Sequence, residues 1–161
     1  MKKSIFAWAA VVALVFASCN EKPYINPPSD NSFNSDTVPV LKADTNGTVV
    51  SVDSALVIGN GQPNDTPTAE KYKVSGTISS IITNLDDVPG KYTNVNFDLS
   101  DGKVNLRCQY TNYLNNYPFR NNKEVPRVGS KVTVLGPMSK YNGSPQMING
   151  FIVRVDSLVT E

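Results

Sequence analysis

The sequence predicts a mainly β domain, a five-stranded Greek-key barrel preceded by one short helix and reached through an apolar leader and a polar tether. Three observations predict it. From Val49 onward, apolar residues recur at every second position in short runs, the period of a half-buried strand. Two dipeptides with tight-hairpin chemistry, Asp101-Gly102 and Asn142-Gly143, lie between such runs. A glycine, Gly76, occupies an apolar-face position of the first run, where it marks a bend or bulge. Five strands with two hairpins and a bent first strand close into a small barrel, which removes the edges an open sheet would expose.

The helix comes first, in "SVDSALVIGNGQ". Ser51 supplies an N-cap, Asp53 stands in the first turn where the helix dipole favours a carboxylate, and Gly59 or Gly61 ends the helix. Val52, Ala55, Leu56 and Gly59 share one face, suited to plugging an end of the barrel. "YKVSGTISSII" (72–82) is the first strand, with Val74, Gly76 and Ile78 inward. "YTNVNFDLS" puts Val95, Phe97 and Leu99 inward and Asn94, Asn96 and Asp98 outward. After the Asp101-Gly102 turn, "KVNLRCQY" returns with Val104, Leu106, Cys108 and Tyr110 on the apolar face and Asn105, Arg107 and Gln109 on the other. Cys108 reads there as a small core hydrophobe. "TNYLNNYPFRNNKEVPR" is loop-like, being rich in Asn and holding Pro118 and Pro126. Val132 and Val134 alternate inward on the fourth strand, Gly136-Pro137 marks a break, and Asn142-Gly143 turns the chain. The last strand is long and bends at Gly150, with Phe151, Val153 and Val155 as its apolar face.

Ahead of this domain the chain has targeting grammar. Lys2 and Lys3 are followed by an unbroken apolar run, Ile5 to Phe16, and by the small residues Ala17 and Ser18. A spanning helix needs ~20 apolar residues, so a run this short reads as a secretory signal, residues 1–18. Residues 20–48, rich in Asn, Asp, Ser and Pro, bury too little apolar surface to offset chain entropy and read as a tether. A flexible coil of that length spans ~30 Å root mean square. The folded domain is expected over residues 49–161.

Composition excludes several chemistries. The 161 residues carry 15 Lys and Arg against 14 Asp and Glu, so no strong field draws nucleic acid or a charged membrane to the chain as a whole. Histidine is absent, which removes the commonest general base and transition-metal ligand, and with it Ser–His and Cys–His nucleophile pairs. Cys19 and Cys108 are the only thiols, too few for a zinc site built on several Cys or His. Asp86 and Asp87 in "NLDDVPGK" lack the regular oxygen-ligand spacing of an EF-hand. No metal, cofactor or enzymatic activity is expected. Catalysis would require paired carboxylates across a cleft, for example Asp86, Asp87 or Asp98 facing another acid.

Two resemblances rest on these residues. Val15-Phe16-Ala17-Ser18-Cys19 resembles the lipobox of bacterial lipoproteins, with Phe16 where leucine is commonest. The resemblance implies diacylglyceryl transfer to the Cys19 sulfur, cleavage before it and acylation of the new amine, which together anchor the chain to a lipid bilayer. Asn20 stands where Asp serves inner-membrane retention in some bacteria, so the implied location is the cell envelope, at the outer membrane.

"KVSGTISSI", "NVNFDLSDG" and "VGSKVTVLGPMSKYNGSPQM" resemble the OB-fold, and more closely the OB-fold domains of lipoproteins in the Bacteroides group, over about residues 49–158. The family's usual helix between its third and fourth strands has no counterpart in "TNYLNNYPFRNNKEV". The resemblance implies a binding face on the second and third strands and the flanking loops, for single-stranded nucleic acid or oligosaccharide. On this chain that face is Tyr92, Asn94, Asn96, Asn105, Arg107 and Gln109, with Lys140, Tyr141 and Asn142 from the second hairpin.

Single-strand binders need stacking aromatics and a basic groove. The outward positions of these strands carry no aromatic, and over residues 49–161 eleven Lys and Arg face ten Asp and Glu. Amides, one Arg and flanking tyrosines suit a glycan or an envelope protein better. The same residues also fit a merely solvated sheet face. The sequence therefore points to a non-catalytic, membrane-anchored binding module, with a structural or adaptor subunit of an envelope assembly as the alternative.

Overall fold

The computed structural model describes residues 43–159, all within the compact unit Val40–Glu161. The expected signal segment, Cys19 and the tether up to residue 42 lie outside the described residues.

Eight main elements follow in order: β1 (Thr48–Val50), α1 (Val52–Asn60), β2 (Lys71–Ile81), β3 (Val95–Ser100), β4 (Asn105–Thr111), β5 (Lys131–Tyr141), β6 (Ser144–Ile148) and β7 (Phe151–Ser157). Five of the strands close a ring. β2 pairs antiparallel with β3 and with β5, β3 with β4, β4 parallel with β6, and β6 antiparallel with β5. β1 adds parallel to β2 and β7 adds antiparallel to β5, which widens one wall. The architecture is an OB-fold-like closed barrel with two extra strands and a single helix.

Gly76 makes the closure possible. β2 pairs through residues 71–77 with β5 and through 77–81 with β3, so it serves both walls and must bend between them. A Cβ at Gly76 would stand 2.7 Å from the Ser100 carbonyl oxygen and 2.8 Å from Leu99 Cγ, so only glycine lets β2 cross that close to β3.

The helix forms as its sequence dictates. Ser51 Oγ accepts the Ser54 N–H at 3.1 Å, Asp53 occupies the first turn, and the Gly61 N–H closes the last turn on the Val57 carbonyl at 3.1 Å. Val52, Ala55 and Gly59 are buried against β2, β4, β5 and β6, so the helix plugs the barrel. Between it and β2, the segment 61–69 runs along the edge of β5. The Asp65 and Thr68 N–H groups donate to the Lys140 and Met138 carbonyls at 2.8 Å each.

Val74, Ile78, Val95, Phe97, Leu99, Leu106, Cys108, Val132, Val134, Met138, Met147 and Ile152 fill the interior. Burial contributes about 1.5–3 kcal/mol for each large aliphatic or Phe side chain. The connection between β4 and β5 forms only two single 3-10 turns, Leu114–Asn116 and Asn122–Glu124, and lends Phe119 and Val125 to the core.

Two expectations are corrected. The long last strand is interrupted at Asn149-Gly150 and becomes β6 and β7. Gly150 Cα there lies where a Gly136 Cβ would approach it to 2.9 Å, a backbone crossing that breaks the ladder. The expected face Phe151, Val153, Val155 holds at Phe151 and Val155 but not at Val153. A register shift between Thr133 and Val134 pairs Ile152 with Val134 and Val155 with Val132, so Ile152 enters the core while Val153 lies on the outer face. The second correction is Tyr110, which stands outside and not on the apolar face.

Candidate functional site

β4 carries a bulge at its end. Val95 pairs with Thr111 and Phe97 with Cys108, so Asn96 opposes two residues, Gln109 and Tyr110. Tyr110 takes a left-handed backbone conformation (φ 54°), and its N–H donates to Asn96 Oδ1 at 2.7 Å. The extra residue reverses the alternation: Thr111 is buried and Tyr110 turns outward, 53 % exposed. The outer face thus gains an aromatic that strict alternation from the sequence had denied it.

Beside Tyr110 lies a groove of about 540 Å³ on the outer wall of β3, β4, β6 and the far half of β5. Asn96 and Gln109 form part of its floor, joined by Ser139, Gln146, Ile148 and Asn149. Strand pairing places them. Gln109 is level with Ile148 and Ser139 with Gln146, and the Asn149 N–H donates to the Gln109 carbonyl at 3.0 Å. Tyr141, 52 % exposed, lines it from the end of β5, and Asp65 closes one side from the segment along the β5 edge. Two exposed aromatic rings and a floor of amides can stack on a flat ligand and hold its hydroxyls or carbonyls.

Three of the charges around the groove are already engaged. Arg107 Nε donates to Asp98 Oδ1 at 2.5 Å, and Asp98 Oδ2 accepts from Ser80 Oγ at 2.7 Å. Lys140 Nζ donates to the Asn60 carbonyl at 2.9 Å, toward the helix end. Asp65 is the ionisable carboxylate among the lining residues, and no Lys or Arg lines the groove.

Of the residues expected at the binding face, Asn96, Gln109 and Tyr141 come together in the groove. Arg107 is its neighbour through the register with Gln146. Four others lie elsewhere. Tyr92 sits in the connection from β2 to β3 with the Lys91 ammonium 5.1 Å from its ring centroid. Asn94 precedes β3. Asn105 accepts from Ser79 Oγ at 3.3 Å at the start of β4, and Asn142 occupies the hairpin tip with φ 49°. Asp65, Tyr110, Ser139, Gln146, Ile148 and Asn149 were missed. Parity along β6 could have raised Gln146 and Ile148, whereas Asp65 has no local signal.

A second cleft of about 540 Å³, in the connection after β4, is lined by Tyr113, Leu114, Asn115, Tyr117, Pro118 and Arg120. Arg120 there is paired with Glu124 at 2.6 Å, which leaves few polar groups to orient a ligand. Cys108 is wholly buried, and burial above all, with the Asp98 charge, pushes its thiol pKa far up, so it is no nucleophile. Among the described residues no group of three or more Cys, Asp or Glu could hold a metal ion. No protein-family model and no curated protein matches the chain.

Proposed function

We propose that the chain is a lipid-anchored envelope protein, held at the outer membrane through acylated Cys19, whose barrel is a non-catalytic binding module for a neutral polar ligand of the oligosaccharide class. One observation carries the ligand class: the groove between Tyr110 and Tyr141 presents amides and a serine hydroxyl but no cation. Nucleic acid, the other ligand of the resembling family, needs aromatic stacking together with phosphate neutralisation. The tyrosines supply the first, and the pairing of Arg107 with Asp98 withholds the second. A binding role without catalysis is supported by the same ion pair, since Asp98 is committed to Arg107 and Ser80.

The test is a binding screen of the detergent-solubilised chain against a glycan array and single-stranded DNA and RNA at two salt concentrations. Glycan binding that holds at high salt is the expected result. Nucleic-acid binding that weakens steeply with salt would overturn the ligand class, and recovery of one stoichiometric protein partner with no glycan bound would favour an adaptor.

A further inference from the structure

The wall on the other side of the core, β1–β2–β5–β7, has an outer face of different chemistry. Alternation along β2 puts Lys71 and Lys73 on one side with Ser75 and Thr77, and the register with β5 brings Lys131 level with Thr77 and Thr133 level with Ser75. None of the three lysines forms an ion pair among the described residues. Arg154, on the same face beside Thr133, is paired with Asp156 at 2.6 Å. Asp101, near Lys131, accepts the backbone N–H groups of Lys103 and Val104, Asp44 accepts the Asn46 N–H, and Glu70, next to Lys71, accepts the Tyr72 hydroxyl. Hydroxyls lie between the cations. Ser75 and Thr133 line a groove of about 400 Å³ with Lys73, and Val49, 75 % exposed, stands at its side.

This is also the face on which the described chain begins. Thr45 lines the same groove, and a Cβ on Gly47 would meet Leu135 Cδ1 at 2.5 Å, so residues 45–47 lie across the wall just before β1. Ala43 stands 24 positions after Cys19.

We propose that this face is a docking surface for an anionic lipid bilayer, its lysines and hydroxyls meeting headgroup phosphates while Val49 reaches the interface. The proposal rests on the reading of Cys19 as a lipid anchor. Unpaired lysines suit such a surface because an ammonium is a compact charge that diffuse headgroup phosphates can satisfy from many directions. The tyrosine groove, on the other wall, would then face away from the lipid and stay open to its ligand.

The test is lysine acetylation, read residue by residue by mass spectrometry, on the acylated full-length chain reconstituted in vesicles. Flotation with zwitterionic phosphatidylcholine vesicles reports the anchor itself. With phosphatidylglycerol added, Lys71, Lys73 and Lys131 are expected to label about fivefold more slowly than in pure phosphatidylcholine, and Lys91 and Lys140 at unchanged rates. High salt is expected to abolish the protection. A chain that floats with both vesicles but labels alike in both overturns the docking surface and leaves the anchor standing. A chain that floats with neither overturns the anchor and the surface together.

Discussion

Replacing Gly76 by Ala tests whether the barrel closes as described. The added Cβ would stand 2.7 Å from the Ser100 carbonyl oxygen and 2.8 Å from Leu99 Cγ, and the first of these is backbone that cannot rotate away. Restoring ordinary contact moves β3 away from β2 by about half an ångström or more, at the seam where β2 passes from one wall to the other. Overpacking of this kind costs about 1–3 kcal/mol, and the lower unfolded-state entropy of alanine returns only about 0.4–1 kcal/mol. A net loss of about 1–1.5 kcal/mol lowers Tm by roughly 3–7 °C for a domain of this size. Thermal unfolding followed by circular dichroism measures it, with Gly61→Ala as the control. Gly61 has φ −70° and ψ −13°, and its nearest Cβ neighbour is the Ile58 oxygen at 3.4 Å. That variant is expected to be neutral or slightly stabilised. A Gly76→Ala protein as stable as Gly61→Ala would mean that β2 does not bend against β3 there.

Other consequences follow from the same packing. Ser51→Ala removes the cap on the Ser54 N–H and is expected to cost about 1 kcal/mol in a urea titration, with no change in groove binding. Cys108, tested in a Cys19→Ser chain, is expected to resist alkylation until the protein unfolds, because burial disfavours its thiolate; labelling at the unfolded rate in native buffer would contradict that. The Glu124 carboxyl is held below its ordinary 4.5 by the Arg120 backbone N–H first and then by the Arg120 side chain. A depressed carboxylate pKa contributes stability that is complete above the unfolded value and lost as pH falls through the folded one. Urea midpoints are therefore expected to fall as pH drops below about 4.5, and less so in Glu124→Gln; equal slopes in the two proteins would refute the assignment.

Much of the barrel was legible because its determinants are local. Asp101-Gly102 and Asn142-Gly143 turn the chain by their own backbone preferences, with Gly102 and Asn142 both at positive φ. Val95, Phe97 and Leu99 point inward by strand period alone. Ser51, Asp53 and Gly61 mark a helix whose ends need no tertiary partner to be read. What escaped depended on distant partners. Tyr110 leaves the apolar face because Asn96, fourteen positions earlier, accepts its N–H across a bulge, and no local rule says where a bulge falls. The break at Asn149-Gly150, where Asn149 takes a left-handed φ of 49°, falls at the close approach of Gly136 on the facing strand, and the Asn-Gly pair was its local signal. The groove draws on Asp65, Asn96, Ser139 and Gln146, which only the closed ring brings side by side. Even so, Asn96, Gln109 and Tyr141 were expected at the binding face and do line the groove.

The groove is tested most directly by one affinity measurement, the titration of a glycan recovered from the array into wild-type protein and into Tyr110→Ala. Tyr110 is 53 % exposed and absent from the core, so its truncation leaves the fold intact. Loss of its stacking surface is expected to weaken binding about tenfold, whereas Tyr92→Ala, outside the groove, leaves it unchanged. Equal affinity in wild type and Tyr110→Ala, or a loss confined to Tyr92→Ala, would contradict the assignment of this groove as the binding face.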